Sequence, residues 1–207
     1  MSKRKLYYLG IIIILLLAWA FYSTRVHSIP APQYTVVEEG NGFEIREYVV
    51  YAIAETRVSA SYGEALQEGF SRLAAYIDGN NSTGETIPMT RPIVVDREDA
   101  QERNILSDES DVQETYRIAF IMPEYRTLDS LPEPHDVRVM TRIVPSQPIF
   151  VKNIACIWNC LSPKKQENII AKAEEEGVTG KNVLYARYAL PWSMPFVVRN
   201  ELWLLEE

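Results

Sequence analysis

Residues 34–79 read YTVVEEGNGFEIREYVVYAIAETRVSASYGEALQEGFSRLAAYIDG, and the change of period inside them decides the fold. Residues 34–39 and 43–48 flank Gly40-Asn41-Gly42, a loop of residues that accept positive φ, and so predict a hairpin. Phe43 and Ile45 alternate with Glu44 and Arg46, as on a half-buried strand. Residues 49–59 continue as strand, with Tyr51 and Ile53 alternating with small Ala52 and Ala54. The period then lengthens. Leu66, Phe70, Leu73 and Ile77 fall on one face of an amphipathic helix. Ser61 with Glu64 three residues on has capping-box spacing, and Gly79 stands where a helix exit needs positive φ.

The same order returns downstream. Residues 89–95 and 114–121 predict two further strands, separated by an acidic, polar stretch at 96–111 that reads as a solvated loop. Pro123, Pro132 and Pro134 make residues 122–136 an extended connection. Residues 137–144 and 149–158 are strand-like. Ser162-Pro163 opens a second helix, Gly177 ends it, and residues 183–190 and 196–205 supply the last strands. This is an α+β pattern. It predicts duplicated strand–strand–helix–strand–strand halves, with one extra strand in the first, forming twisted, barrel-like antiparallel sheets with two helices packed on them.

The first residues differ in kind. Residues 6–22, LYYLGIIIILLLAWAFY, carry no charge. As a helix they would rise about 25 Å, and a span needs about 17–25 residues. Tyr7, Tyr8, Trp19 and Tyr22 stand at the two ends, where amphipathic rings favour an interface. Lys3, Arg4 and Lys5 precede the run and Arg25 follows it, so the positive-inside tendency predicts a single-pass signal-anchor in the cell membrane. Its N-terminus would be cytoplasmic and the domain extracytoplasmic. A second reading is a cleavable signal peptide, with Ala18-Trp19-Ala20 as the small-x-small site, and a secreted product cut near Ala20. The expected organisation is an anchor at 1–22, a stalk at 23–33 and one domain at 34–207.

Composition narrows the function. The chain has 207 residues, 47% hydrophobic, enough for one core, with a net charge of −7. All 28 acidic residues follow position 30, and four of the 21 basic ones precede it. A domain so negative repels phosphate backbones, which excludes nucleic acid as a partner. Cys156 and Cys160 form a lone C-x-x-x-C pair, and with two histidines in the whole chain they do not make a zinc motif. They read as small buried hydrophobes or, in an oxidising compartment, as a disulfide stretched by its spacing along one strand. No G-x-S-x-G elbow, H-E-x-x-H motif or glycine-rich phosphate loop occurs, so no catalytic residue is assigned and the chain does not read as an enzyme.

Six segments in order carry a resemblance. They are Phe43-Glu44-Ile45-Arg46-Glu47-Tyr48; Gly69-Phe70 through Leu73, Tyr76-Ile77 and Gly79-Asn80; Ile87, Met89-Thr90 and Pro92-Ile93; Phe120 and Met122-Pro123; Leu131-Pro132, Pro134 and Asp136; and Arg199-Asn200-Glu201-Leu202-Trp203-Leu204. Together they resemble the SOUL haem-binding proteins. The resemblance implies a pair of twisted antiparallel sheets, each backed by a helix, built by internal duplication. It implies haem or a related porphyrin as cofactor, held on an apolar surface beside the first helix, with bases meeting the propionates. Carried onto this chain, the cofactor-binding residues would be Gln67, Phe70, Ala74 and Ala75, although the spacing of Phe70 with Leu66 and Leu73 fits core equally well. Arg72 is the only base on that helix. For the iron, His27 falls in the stalk and His135 in the proline-rich connection, and Met89, Met122 or a tyrosine are the other donors. The expected function is a membrane-anchored carrier or buffer of tetrapyrrole on the outer face. The rival is a tethered scaffold for another small amphipathic ligand or a protein partner.

Overall fold

The computed structural model describes residues 3–25, 29–98, 114–154, 163–177, 180, 182–188 and 199–205. Cys156, Cys160 and His27 lie outside them. The hairpin forms as β1 (Tyr34–Gly40) and β2 (Phe43–Tyr48), turning on Gly42 at φ 82. β3 (Tyr51–Ser59) leads into the amphipathic helix α2 (Tyr62–Ile77), where the Ser61 amide donates to Glu64 Oε2 at 3.3 Å and Gly79 follows at φ 106. β4 (Ile93–Glu98) and β5 (Thr115–Ile121) complete the first half. The second half repeats it as β6 (Val139–Val144), β7 (Pro148–Ile154), α3 (Pro163–Glu175), β8 (Asn182–Arg187) and β9 (Asn200–Leu205).

The nine strands join one antiparallel sheet rather than two, in the order β1-β2-β7-β9-β8-β4-β5-β3-β6. That order is symmetric about the β8–β4 pair once the two halves are interchanged. Each half lends its first strand to the other: β2 lies on β7, and β6 lies on β3. The exchange forces the sheet to curl. β2 and β3 stand six strand spacings apart, about 29 Å on a flat sheet. Only Val49 and Val50 connect Tyr48 to Tyr51, a reach of about 11 Å. The ends of the sheet are therefore drawn together, and the Tyr48 and Tyr51 rings lie 6.4 Å apart.

Alternation divides the side chains between the two faces of this curl. Ala54, Ile118, Phe120, Tyr185, Leu202 and Leu204 turn towards α2 and α3 and join Leu73, Tyr76, Ile169 and Ala173 in one core. Ile53, Ala119, Ile121, Leu184 and Trp203 point the other way, into a second core that contains no helix residue. Those residues are buried because the sheet closes over them. β3 is buried on both faces in its middle.

The strand expected at 89–95 begins instead at Ile93. Pro92 has no ladder donor, and the Thr90 hydroxyl bonds the Ile121 carbonyl, so side chains tie this entry where a strand would use its backbone. The segment before β1 is also tied down: Arg91 donates from its amide to Pro30 O (2.9 Å) and from Nε to Ile29 O (2.8 Å).

The N-terminal expectation is corrected. α1 (Lys3–Arg25) is helical, but among the described residues no helix is long and apolar enough to cross a membrane. The expected transmembrane helix, the membrane as partner, and the single-pass, outward-facing location built on them are withdrawn.

α2 lies against β5 at Gly69, where an added Cβ would come 2.8 Å from both Cδ1 and Cγ1 of Ile118. Alanine gains about 1 kcal/mol of helix propensity over glycine, whereas overpacking a tight core costs about 1–3 kcal/mol. Gly69→Ala is therefore expected to destabilise by about 1 kcal/mol in urea unfolding. Gly63→Ala, on the same helix with open space around it, is expected to stabilise. Equal effects at the two sites would refute the close approach.

Candidate functional site

The four residues assigned to a cofactor occupy successive turns along one flank of α2. Gln67 and Ala75 are exposed; Phe70 and Ala74 are half-buried. Phe70 also packs inward, its ring meeting Phe120 edge-on at 5.4 Å. Arg72 does not serve this flank. It bonds Glu68 (2.9 Å), Thr56 Oγ1 (3.3 Å) and the Arg57 carbonyl (3.0 Å), beside β3. The four residues are uncharged, and the one base of the helix is engaged elsewhere.

The candidate iron donors are placed elsewhere. His135 is at the surface, its Nδ1 3.4 Å from Asn80 Oδ1. Met122 is buried in the helix-side core and Met89 packs against it. Among the described residues no group of three or more His, Cys, Asp or Glu side chains is arranged to hold a metal ion.

The interior of the curl is polar, although little in the sequence points to it. Glu201 on β9 is fully buried and accepts from Arg46 Nη1 (3.0 Å), Tyr188 Oη (3.1 Å), Trp203 Nε1 (2.8 Å) and Arg199 Nε (2.6 Å). Arg46 is equally buried, bonds Glu44 at 2.6 Å and lies 4.3 Å from the centre of the Tyr34 ring. Burial opposes its charge, but hydrogen bonds to Glu44 and Tyr48 and the Glu201 carboxylate outweigh that and hold its pKa above the ordinary value. Burial likewise raises the pKa of Tyr188 and Tyr48, so both phenols stay neutral. In the sequence, Arg199 and Glu201 stand out only as members of the segment Arg199-Asn200-Glu201-Leu202-Trp203-Leu204.

Beside it the interior is open. A cavity of about 240 Å³ lies over β3, β4, β5, β6 and β8, with Ile53, Ala119, Ile121 and Leu184 on its floor. Two ion pairs border it: Arg142 Nε to Glu55 Oε2 at 3.1 Å, and Arg117 with Asp96. The exchanged symmetry explains why this half is open. Ile53 pairs with Arg142 and Ile121; Ile149 pairs with Arg46 and Leu205. Equivalent registers then set Ala119 against Trp203, and Val144 against Tyr48. Large rings fill one half, and the small side chains opposite leave space. Sequence reasoning missed Glu55, Asp96, Arg117 and Arg142. The available signal was an acid inside the buried run Ala52-Ile53-Ala54-Glu55.

The fold is a curled antiparallel sheet with strand-exchanged halves and two helices packed on it. Residues 29–205 match the SOUL heme-binding protein family, and the chain belongs to it. Its ligand class is haem or a related porphyrin, and it is a binding protein and not an enzyme. No curated protein matches the chain. Among solved structures it is similar to the EcmrR C-terminal domain (TM-score 0.56, 7% identity, 84% of this chain and 98% of that one). It is also similar to a hydrolase from Listeria innocua (TM-score 0.52, 11% identity, 81% and 93%). At such identities the likeness is one of fold. The membership replaces the membrane-anchored carrier with a binding domain that has no membrane-crossing helix among its described residues.

Proposed function

We propose that this domain binds a small, flat amphipathic ligand, haem or a related porphyrin, against the α2 flank at Gln67, Phe70, Ala74 and Ala75. The supporting observation is the ring of Phe70, anchored edge-on against Phe120 yet half-exposed between small, uncharged neighbours. A ring held at one edge keeps its place when a macrocycle stacks on it, which lowers the ordering cost of binding. The propionates would face solvent, since Arg72 is engaged on the β3 side. The domain then holds its ligand by apolar contact, suited to exchange rather than permanent retention.

Titrating haemin into the full chain while following the Soret band tests this. A saturable one-to-one shift is expected, weakened at least tenfold by Phe70→Asp, since a carboxylate would have to be desolvated beneath the macrocycle. A shift indifferent to Phe70 would move the site away from α2. Absence of any shift would leave the domain to a different amphipathic ligand.

A further inference from the structure

We propose a second, separate site in the cavity inside the curl, and infer that it takes a small organic cation with an apolar body. The cavity is below the roughly 300–1,000 Å³ of drug-sized pockets, so it does not admit a porphyrin. Its floor is hydrocarbon, and the polarity at its border is ordered by depth. The Glu55 side chain is 4% exposed, and that of its partner Arg142 is 43% exposed; Asp96 and Arg117 follow the same sense at 13% and 24%. The carboxylates are fixed on the sheet, and the guanidiniums reach over them from neighbouring strands on long, flexible stems.

A cationic guest can take the place of the Arg142 guanidinium over Glu55, leaving that arginine to swing into water. An anionic guest has no such exchange: it meets guanidiniums from their solvated side, already neutralised, where attraction is weak. Tyr51 lines the same cavity, and an aromatic ring there favours a cation. The acidic excess of the domain draws cations towards it. The opposite half shows the same logic occupied from within, because Arg46 lies over Glu201 there, enclosed by Tyr48 and Trp203.

Calorimetric titration of the full chain with benzyltrimethylammonium, and separately with 3-phenylpropionate, tests the assignment. The ammonium ion is expected to bind one-to-one and the carboxylate not to bind. Glu55→Gln should weaken the cation about tenfold, the loss of one charged contact in a dry site. Arg142→Gln should tighten it several-fold by removing the internal competitor. This second change is at a half-exposed side chain and moves the affinity in the opposite direction, so it reports separately from Glu55→Gln. Phe70→Asp should leave cation binding unchanged, which separates this site from the haem surface. Binding of 3-phenylpropionate that is lost in Arg142→Gln, or no binding of either salt, overturns the proposal.

Discussion

Replacing Glu201 with leucine is expected to lower the unfolding free energy by about 3 kcal/mol, the low end of the cost of breaking a buried ion pair, since Arg46 keeps its contact with Glu44. Arg46 has no exposed surface, and its Nη1 depends on Glu201. The substitution also orphans Tyr188 Oη and Trp203 Nε1, each of which donates to the same carboxylate. Urea unfolding of the full chain measures the loss. The informative companion is Arg46→Met with Glu201→Leu, which removes both charges. An apolar pair of similar volume often matches a buried ion pair, so the double variant is expected to recover most of the loss. A single-variant loss below about 1 kcal/mol would show that water reaches the cluster and that the interior is not closed there.

The stability at issue comes from a part of the fold that the linear pattern hides. The hairpin, the Ser61–Glu64 cap and the glycine exits at φ 106 and 80 are local events, and residues within a few positions of each other specify them. The duplicated order of strands and helices is local too. The strand exchange is not. Nothing near Tyr48 says that β2 pairs with β7, about a hundred residues on, because that register is chosen by two buried faces meeting across the curl. The Glu55–Arg142 pair is invisible for the same reason, its members being 87 positions apart. The α2 flank was legible as residues and not as a role. Phe70 fits core by its spacing, and the structure shows it half-buried, packed against the core.

Trp203→Ala is expected to cost about 3–5 kcal/mol, because a fully buried indole is replaced by a cavity in a face with no helix to settle into it. Trp203→Phe separates the components. It keeps most of the packing against Tyr48, 5.0 Å away between ring centres, and removes only the 2.8 Å hydrogen bond to Glu201. A bond to a charged acceptor contributes about 1.5–3 kcal/mol, so the phenylalanine variant should lose about that much. The two deletions share a partner and cannot be independent. In a double-mutant cycle, Trp203→Phe made in the Glu201→Leu background should cost well under 1 kcal/mol, since the acceptor is already gone. Equal costs in both backgrounds would mean that the indole N–H contributes nothing and that Trp203 acts by volume alone. Volume is also what distinguishes the two halves of the barrel. Trp203→Ala puts the side chain of Ala119 at the equivalent register, so this variant should open a second cavity beside Glu201 where the native protein keeps its own guanidinium.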